Sequence, residues 1–376
     1  MKNNMEIEPI VLDTIESAIE DIRDGKVVIV VDDEDRENEG DFICAAEMVT
    51  PEIINFMSKV GRGLICAPIE ESRARELGLE LMVRENTALH ETAFTVSVDL
   101  VGYGCTTGIS THDRAKTIKS LTDDRIRPEE LSKPGHIFPL VAKKGGVLRR
   151  TGHTEAAIDL ARLAGFKPAG ALVEILNEDG TMARLPQLFK LARECQLKII
   201  SIEDLVAFRL KTESTIEKEI EVTLNSKRGE LTVAAYRQLT TNDIHFALIK
   251  GKIDVSKPVM VRVFSSSQIN NVFDTICGRF GNVSFDHVMD FIEKEGSGVI
   301  LYMNHKETTE ELLHRLKELG NGKSIDEMSF EQRDFGIGAQ ILREIGIREI
   351  KLLSRSKLKR VALQGYELTI TEIVEI

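Results

Sequence analysis

The sequence predicts a protein of α/β or α+β class built as two domains, and three observations carry that expectation. Its 376 residues exceed one average domain, since domains run to roughly 100–200 residues. Helix-period and strand-period patterns alternate along the chain, as they do when helices cover sheets. Between about Leu210 and Glu230 the sequence turns charged and loses periodicity, which reads as an interdomain linker or an irregular lead-in strand. Domain spans of 1–209 and 231–376 follow. A hydrophobic content of 42% is enough for buried cores. The chain shows no internal repeat and no low-complexity segment.

The first helix is announced by Asp13 and Glu16 at capping-box spacing, by the apolar face Ile15, Ala18, Ile19 and Ile22, and by Gly25 as a stop. Val27 to Val31, apolar and β-branched, reads as a buried strand. Ala156 to Ala164 is amphipathic and ends before Gly165 and Pro168. A strand over Ala171–Leu176 and the turn Asn177-Glu178-Asp179-Gly180 follow. Pro186 to Cys195 reads as helix, Lys198 to Ile202 as strand and Glu203 to Arg209 as a short closing helix. In the second half, helices are expected over Phe285–Glu295 and Phe335–Ile345. Strands are expected over Val299–Met303 and Ile350–Leu353.

Composition narrows the function. Asp and Glu outnumber Lys and Arg by 61 to 49, a net charge of −12 that opposes general nucleic-acid affinity. Small anionic substrates stay open, because a local Arg cluster can oppose the global sign. No apolar stretch approaches the roughly 18–20 residues needed to span a bilayer. The opening MKNNMEIEPI lacks the apolar core of a signal peptide, so no membrane partner and a cytoplasmic location are expected. The cysteines (44, 66, 105, 195 and 277) show no metal-site spacing. Cys44 and Cys66 read as core thiols.

Chemistry concentrates in a few polar stretches. Asp32 to Asp41 holds seven acidic residues and Arg36, at the carboxyl end of the predicted Val27–Val31 strand. Ligands commonly bind at such strand ends. So much like charge in one loop calls for a cation or an internal Arg. The Gly104–Arg114 stretch is rich in glycines and hydroxyls that could face a phosphate. His136 is bracketed by Gly135 and Pro139, although a loop His is more often a solvated or hydrogen-bonded residue than a catalyst. Arg150 and Thr154 flank exposed N–H groups at a helix start, which suits a phosphate or merely a capped helix. His153 sits between them as a possible metal ligand. Glu174 lies inside an apolar strand, where an unpaired carboxylate is costly. Carboxylates, histidines and an Arg/Thr clamp would suit a hard cation such as Mg²⁺ chelating a phosphorylated sugar.

The strings Asp33-Glu34-Asp35-Arg36-Glu37-Asn38-Glu39-Gly40-Asp41, Thr106-Thr107-Gly108-Ile109-Ser110, Pro134-Gly135-His136, Gly152-His153-Thr154-Glu155 and Asp179-Gly180-Thr181-Met182-Ala183-Arg184 resemble 3,4-dihydroxy-2-butanone 4-phosphate synthase, in order, over about residues 8 to 209. The resemblance implies an α+β sandwich and conversion of D-ribulose 5-phosphate into L-3,4-dihydroxy-2-butanone 4-phosphate and formate. Mg²⁺ (or Mn²⁺) would serve, with no organic cofactor. It implies that Glu37 and His153 bind the metal, and that Arg36, Glu37, Asp41, Arg150, Thr151, Gly152, His153, Thr154 and Glu174 contact substrate. His136 and Glu174, with Asp41, would be the catalytic groups. A homodimer with sites at the subunit interface is implied as well.

From about Leu231 the chain resembles GTP cyclohydrolase II, through His245 to Gly251, Pro258 to Val263 and Arg333 to Leu342. The three cysteines that hold zinc in that family fall on Ser267, Gly278 and Phe280, and Cys277 alone cannot replace them. Its Glu-Gly-Arg-Gly string is replaced by Lys306-Glu307-Thr308-Thr309. Its catalytic Asp becomes Glu331, although Arg333 survives. The expectation is a retained α/β domain without zinc or cyclohydrolase activity. A domain that hydrolyses GTP by another metal arrangement, or one that binds a nucleotide or drives assembly, is the alternative.

Overall fold

The computed structural model describes residues 11–33, 36–83, 86–87, 92–265, 285–304, 332–354 and 368–376. The chain divides into two compact units, Met1–Phe208 and Arg209–Ile376.

In the first unit, helix α1 (Ile15–Arg23) buries Ile15, Ala18, Ile19 and Ile22. Its cap differs from expectation. Thr14 is the N-cap, its Oγ1 accepting the Ser17 N–H at 3.3 Å. The Asp13 carboxylate instead accepts the Ile199 N–H at 3.0 Å and an Nζ–H of Lys198 at 2.9 Å, tying the helix start to a distant strand. Tertiary pairing has outcompeted the local box. Strand β1 (Val28–Val31) is wholly buried and leads through the acidic loop into β2 (Gly40–Ala45).

Next come α2 (Pro51–Phe56), a π turn over Met57–Gly61, β3 (Cys66–Glu70), α3 (Glu71–Glu76), β4 (Val98–Leu100) and α4 (Thr111–Ser120). Strand β5 (Leu131–Ala142) contains the Pro134–His136 stretch expected as loop. Helix α5 (His153–Leu163) starts three residues earlier than periodicity suggests, because the polar string is itself its first turn. Strand β6 (Gly170–Glu174) stops two residues short of Leu176, so Glu174 stands half-buried at the strand's carboxyl end. Helix α6 (Leu185–Cys195), β7 (Ile199–Ser201) and α7 (Ile202–Thr212) complete the unit, the division falling inside α7.

The sheet runs β4-β5-β3-β6-β2-β1-β7 and mixes parallel with antiparallel pairs. Alternation along each strand separates two faces. Val31, Phe42, Cys44, Ala67, Ala171 and Val173 join α2, α4 and α6 in one core. Helices α1 and α5 cover the opposite face, α5 lying over β2, β6 and β3. That face presents Asp41 and Glu174, which are directly opposed in the β2–β6 pair. Cys44 and Cys66 are buried free thiols, and burial pushes the Cys44 thiol up to about 12.

The second unit holds a sheet ordered β14-β13-β11-β12-β10-β9-β8. Its strands are β8 (Ile216–Ser226), β9 (Gly229–Gln238), β10 (Ile244–Lys250), β11 (Val259–Ser265), β12 (Gly298–Met303), β13 (Glu349–Ser354) and β14 (Thr369–Glu375). Helix α8 (Phe285–Glu295) packs Val288, Met289 and Ile292 against Leu231, Met260, Ile300 and Leu353. Helix α9 (Gln332–Glu344) begins three residues before the expected Phe335. The 210–230 stretch is not a free linker: β8 pairs antiparallel with β9 along its length, with one register shift between Lys218 and Ile220. Its charges conceal the strand because β8 lies at the sheet's edge, with all but Ile216 exposed. Ser267, Cys277, Gly278, Phe280, Lys306 to Thr309 and Glu331 lie outside the described residues. No described helix is long and apolar enough to cross a membrane.

Phe42 is fully buried between β1 and β6, its ring 4.9 Å from that of Phe56. Phe42→Ala is expected to destabilise the first unit by about 3–5 kcal/mol through lost burial plus a residual cavity. Urea unfolding followed on the full chain checks this; an unchanged midpoint for the first unit would contradict the packing described.

Candidate active site

The acidic loop is organised by its first residue. Asp32, almost wholly buried, receives an N–H of Arg36 at 2.8 Å and the backbone N–H groups of Glu37 at 3.2 Å and Glu39 at 2.8 Å. One carboxylate thus folds the loop back on itself, much as Asx side chains cap turns. Arg36 also lies 2.8 Å from Glu37 Oε2 and so neutralises part of the crowded charge. From outside, Arg184 donates to the Glu37 carbonyl at 2.9 Å and to the Asn38 carbonyl. Gly40 follows where a Cβ would stand 2.5 Å from Leu188 Cδ1, so any larger residue would have to displace that buried side chain as the loop enters β2.

His153 opens α5 against this loop. Its Nε2 hydrogen-bonds to the Val30 carbonyl at 3.1 Å, which turns Nδ1 toward Glu37, 3.8 Å from Oε2. Ligand atoms of Asp32, Glu37 and His153 lie within 4.8 Å of one another. Two ligands of one Mg²⁺ sit at most about 4.2 Å apart at bond lengths of about 2.0–2.1 Å, and the 3.8 Å between Glu37 Oε2 and His153 Nδ1 falls inside that limit. The Asp32 oxygens are engaged by the loop, so Glu37 Oε2 and His153 Nδ1 are the pair that could hold the ion.

Electrostatics agree with the geometry. Burial pushes the Glu37 carboxyl up, but its pairing with His153 and the charge of Arg36 outweigh burial and hold it at about 2. Burial pushes His153 down, yet Asp41, Glu37 and Asp32 together raise it to about 9. The same carboxylates that favour a proton on this imidazole would favour a metal cation in its place. Asp41 is buried, and among the described residues Oδ1 has no hydrogen-bond partner. Burial, reinforced by Glu174, Glu39 and Glu37 and opposed by His153, pushes it up to about 7. An unpartnered buried carboxylate oxygen is costly unless a ligand completes it.

Glu174 faces Asp41 across the strand pair, and its Oε2 accepts the Leu64 N–H at 2.8 Å. The segment after the π turn makes this possible. Arg62 adopts a left-handed conformation, and a Cβ on Gly63 would stand 2.6 Å from the Glu174 carbonyl and Oε2. Single π turns within helices often mark functional sites.

Arg150 is held by Glu155 at 2.7 Å and Thr92 at 3.2 Å, and a Cβ on Gly152 would strike its guanidinium. Gly152 is the N-cap of α5 and offers no side-chain cap, while Thr151 is half-buried and Thr154 is buried in the first turn. Uncapped N–H groups and the helix dipole favour an anion there.

Two sequence expectations change. The Gly104–Arg114 loop is filled by its own Asp113, which accepts Thr106 N–H at 3.1 Å, Thr106 Oγ1–H at 2.8 Å and Gly108 N–H at 3.1 Å. Those donors are therefore not open to a phosphate. His136 does not join the Glu37/His153 group within the chain. Its strand β5 lies two strands from β6, about 10 Å at normal sheet spacing. Its imidazole instead pairs with Asp99. Sequence reasoning missed Arg184, Gly63, the Leu64 amide and Asp99. Arg184 had the one available signal, as the last residue of a quoted motif; the others emerge only from strand pairing.

Comparison with known proteins gives the family. Residues 16–208 match the model for 3,4-dihydroxy-2-butanone 4-phosphate synthase, and residues 217–375 that for GTP cyclohydrolase II. Riboflavin biosynthesis protein RibBA of Cytophaga hutchinsonii is 56% identical, over 98% of this chain and 93% of that protein. The RibBA of Porphyromonas gingivalis is 48% identical over the same shares. Among solved structures, RibBX of A. baumannii, a two-domain 3,4-dihydroxy-2-butanone 4-phosphate synthase, is 37% identical with a TM-score of 0.79, covering 96% of this chain and all of that one. A 3,4-dihydroxy-2-butanone 4-phosphate synthase in complex with two magnesium ions is 42% identical with a TM-score of 0.51, covering 54% of this chain and 98% of that one. The chain therefore belongs to the riboflavin-biosynthesis family in which a 3,4-dihydroxy-2-butanone 4-phosphate synthase domain is fused to a GTP cyclohydrolase II domain.

Proposed function

We propose that the first unit converts D-ribulose 5-phosphate into L-3,4-dihydroxy-2-butanone 4-phosphate and formate with Mg²⁺ or Mn²⁺, and that the second unit binds no zinc and does not open the GTP ring. The observation that carries the first part is the meeting of Glu37, His153 and the unpartnered Asp41 oxygen at the start of α5. Glu37 and His153 would hold the cation, and a related synthase has been solved with two magnesium ions. A bound divalent cation supplies charge that steadies oxyanions developing on the sugar.

The chain's own groups account for the rest. Arg150, fixed by Glu155, and the N–H groups of His153 and Thr154 at the start of α5 suit the substrate phosphate. Arg36 and Asp41 face the sugar hydroxyls. Glu174 spends Oε2 on the Leu64 amide and, among the described residues, leaves Oε1 for proton transfer. His136 is the second acid/base group, and it would reach a site from a neighbouring copy. Exposed Leu81, Met82, Val83, Val101, Tyr103 and Ile109 around the edge strand β4 support a homodimer, because apolar side chains grouped this way usually mark an interface.

For the second unit, Ser267, Gly278 and Phe280 at the three ligand positions offer one neutral hydroxyl, no side chain and an aromatic ring, where zinc needs thiolates. The match of residues 217–375 to the cyclohydrolase II family favours a second reading, in which the unit retains GTP hydrolysis or binds a nucleotide to regulate the first.

Purified full-length protein is expected to release formate from ribulose 5-phosphate only with divalent metal: exhaustive EDTA treatment abolishes release, and added Mg²⁺ or Mn²⁺ restores it. Undiminished activity after chelation would sink the metal assignment. Glu174→Gln keeps shape but removes a proton acceptor, so kcat should fall by about 10²–10⁴-fold with little change in KM. A kcat within about threefold of the parent would remove Glu174 from proton transfer. Elemental analysis of the full chain should find no stoichiometric zinc, and GTP should yield no formate. Zinc at one equivalent together with chelator-sensitive GTP turnover would establish the second reading.

A further inference from the structure

Reading His136 as a proton-transfer group raises the question of what fixes its ring, and β4 answers it. Strand β4 pairs Val98 with Ile137 and then Asp99 with Ser132, so residues 133–136 are extruded from the ladder. Asp99 sits in the gap and grips His136 twice. Oδ1 accepts the His136 backbone N–H at 2.9 Å, and Oδ2 lies 2.6 Å from Nδ1. The Asp99 side chain is 11% exposed and that of His136 43%.

The surroundings are built to hold this carboxylate. A Cβ on Gly108, which has φ +93°, would stand 2.0 Å from Asp99 Oδ2, and a Cβ on Gly135 would stand 2.0 Å from the Val98 carbonyl carbon. Both glycines are required by close approach. Ser97 Oγ accepts the Gly135 N–H at 3.1 Å. The loop carrying Gly108 is in turn fixed by Asp113. Among the described residues, Nε2 of His136 makes no hydrogen bond, and the half-exposed ring presents that edge outward.

We propose that Asp99 is the positioning residue for His136: it locks the imidazole with Nδ1 protonated and directs Nε2 outward as the atom that exchanges the substrate proton. The donor/acceptor role of one ring nitrogen is set by the bond the other makes. Two bonds to one residue also fix the ring's orientation, which proton transfer requires. This rests on the acid/base role proposed for His136, and the alternative is that Asp99 merely fastens the extruded segment.

The test compares Asp99→Asn, His136→Asn and the double variant in the full chain. Asp99→Asn should lower kcat for formate release by about 10²-fold or more, with KM within about threefold. In the His136→Asn background the same change should cost nothing further, since its effect passes through the imidazole. A kcat within about threefold of the parent, a loss confined to KM, or losses that multiply in the double variant would overturn the proposal. Nitrogen-15 NMR of the parent's His136 ring gives an independent reading should Asp99→Asn fail to fold. A neutral ring protonated on Nδ1 is expected, and one protonated on Nε2 would overturn the assignment. An inactive parent would refute the lyase reading instead, and the ring measurement would still decide whether Asp99 locks Nδ1.

Discussion

The site depends on how one short loop tolerates its own charge. Asp32 to Asp41 would repel itself apart if every carboxylate faced water alone. Asp32 instead turns inward, takes Arg36 and two backbone amides, and makes the loop a closed unit. Arg184 fastens that unit from α6, at the Glu37 and Asn38 carbonyls. Glu37 is thereby held toward His153, and Asp41 enters the sheet as a residue of β2. The negative charge left over is the property a divalent cation would use. Positive partners in the chain hold the loop's shape, while among the described residues the buried Asp41 Oδ1 at its end has no hydrogen-bond partner.

Sheet pairing then performs the convergence. Antiparallel β1–β2 and β2–β6 registers place Val30, Asp41 and Glu174 side by side. Helix α5 crosses the same face, and its first residue reaches back to the Val30 carbonyl. A slip of one residue in either register would send Asp41 or Glu174 to the opposite face, which is apolar core. The placement of Asp41 and Glu174 and the packing of the core are therefore enforced by the same alternation. His136 stands apart, on a β5 segment that leaves its ladder and is caught by Asp99.

The second unit's core is built independently of any chemistry the unit carries. Val288, Met289 and Ile292 of α8 pack on Leu231, Met260 and Ile300 without reference to any metal. Such a core follows from apolar periodicity and needs no metal ligand to form. What the family likeness conveys about this unit is architecture, and its activity turns on the side chains at a few positions.

From the sequence alone came the alternation of elements, the buried β1 run, the apolar faces of α1 and α8, and the acidic and Gly152–Glu155 strings that meet at the site. These are local signals: a strand's hydrophobic run or a helix's 3.6-residue period needs no distant partner to be visible. Tertiary structure decided the rest. It chose Thr14 over Asp13 as a cap, because Asp13 had a better partner at Ile199. It turned the charged 210–230 stretch into an edge strand, because an edge leaves nearly all of its side chains to water. It filled the glycine-rich 104–114 loop with Asp113, and it gave His136 to Asp99. Each outcome depends on pairing between residues far apart in the chain, and such pairing is set by register and close approach, which local composition does not encode.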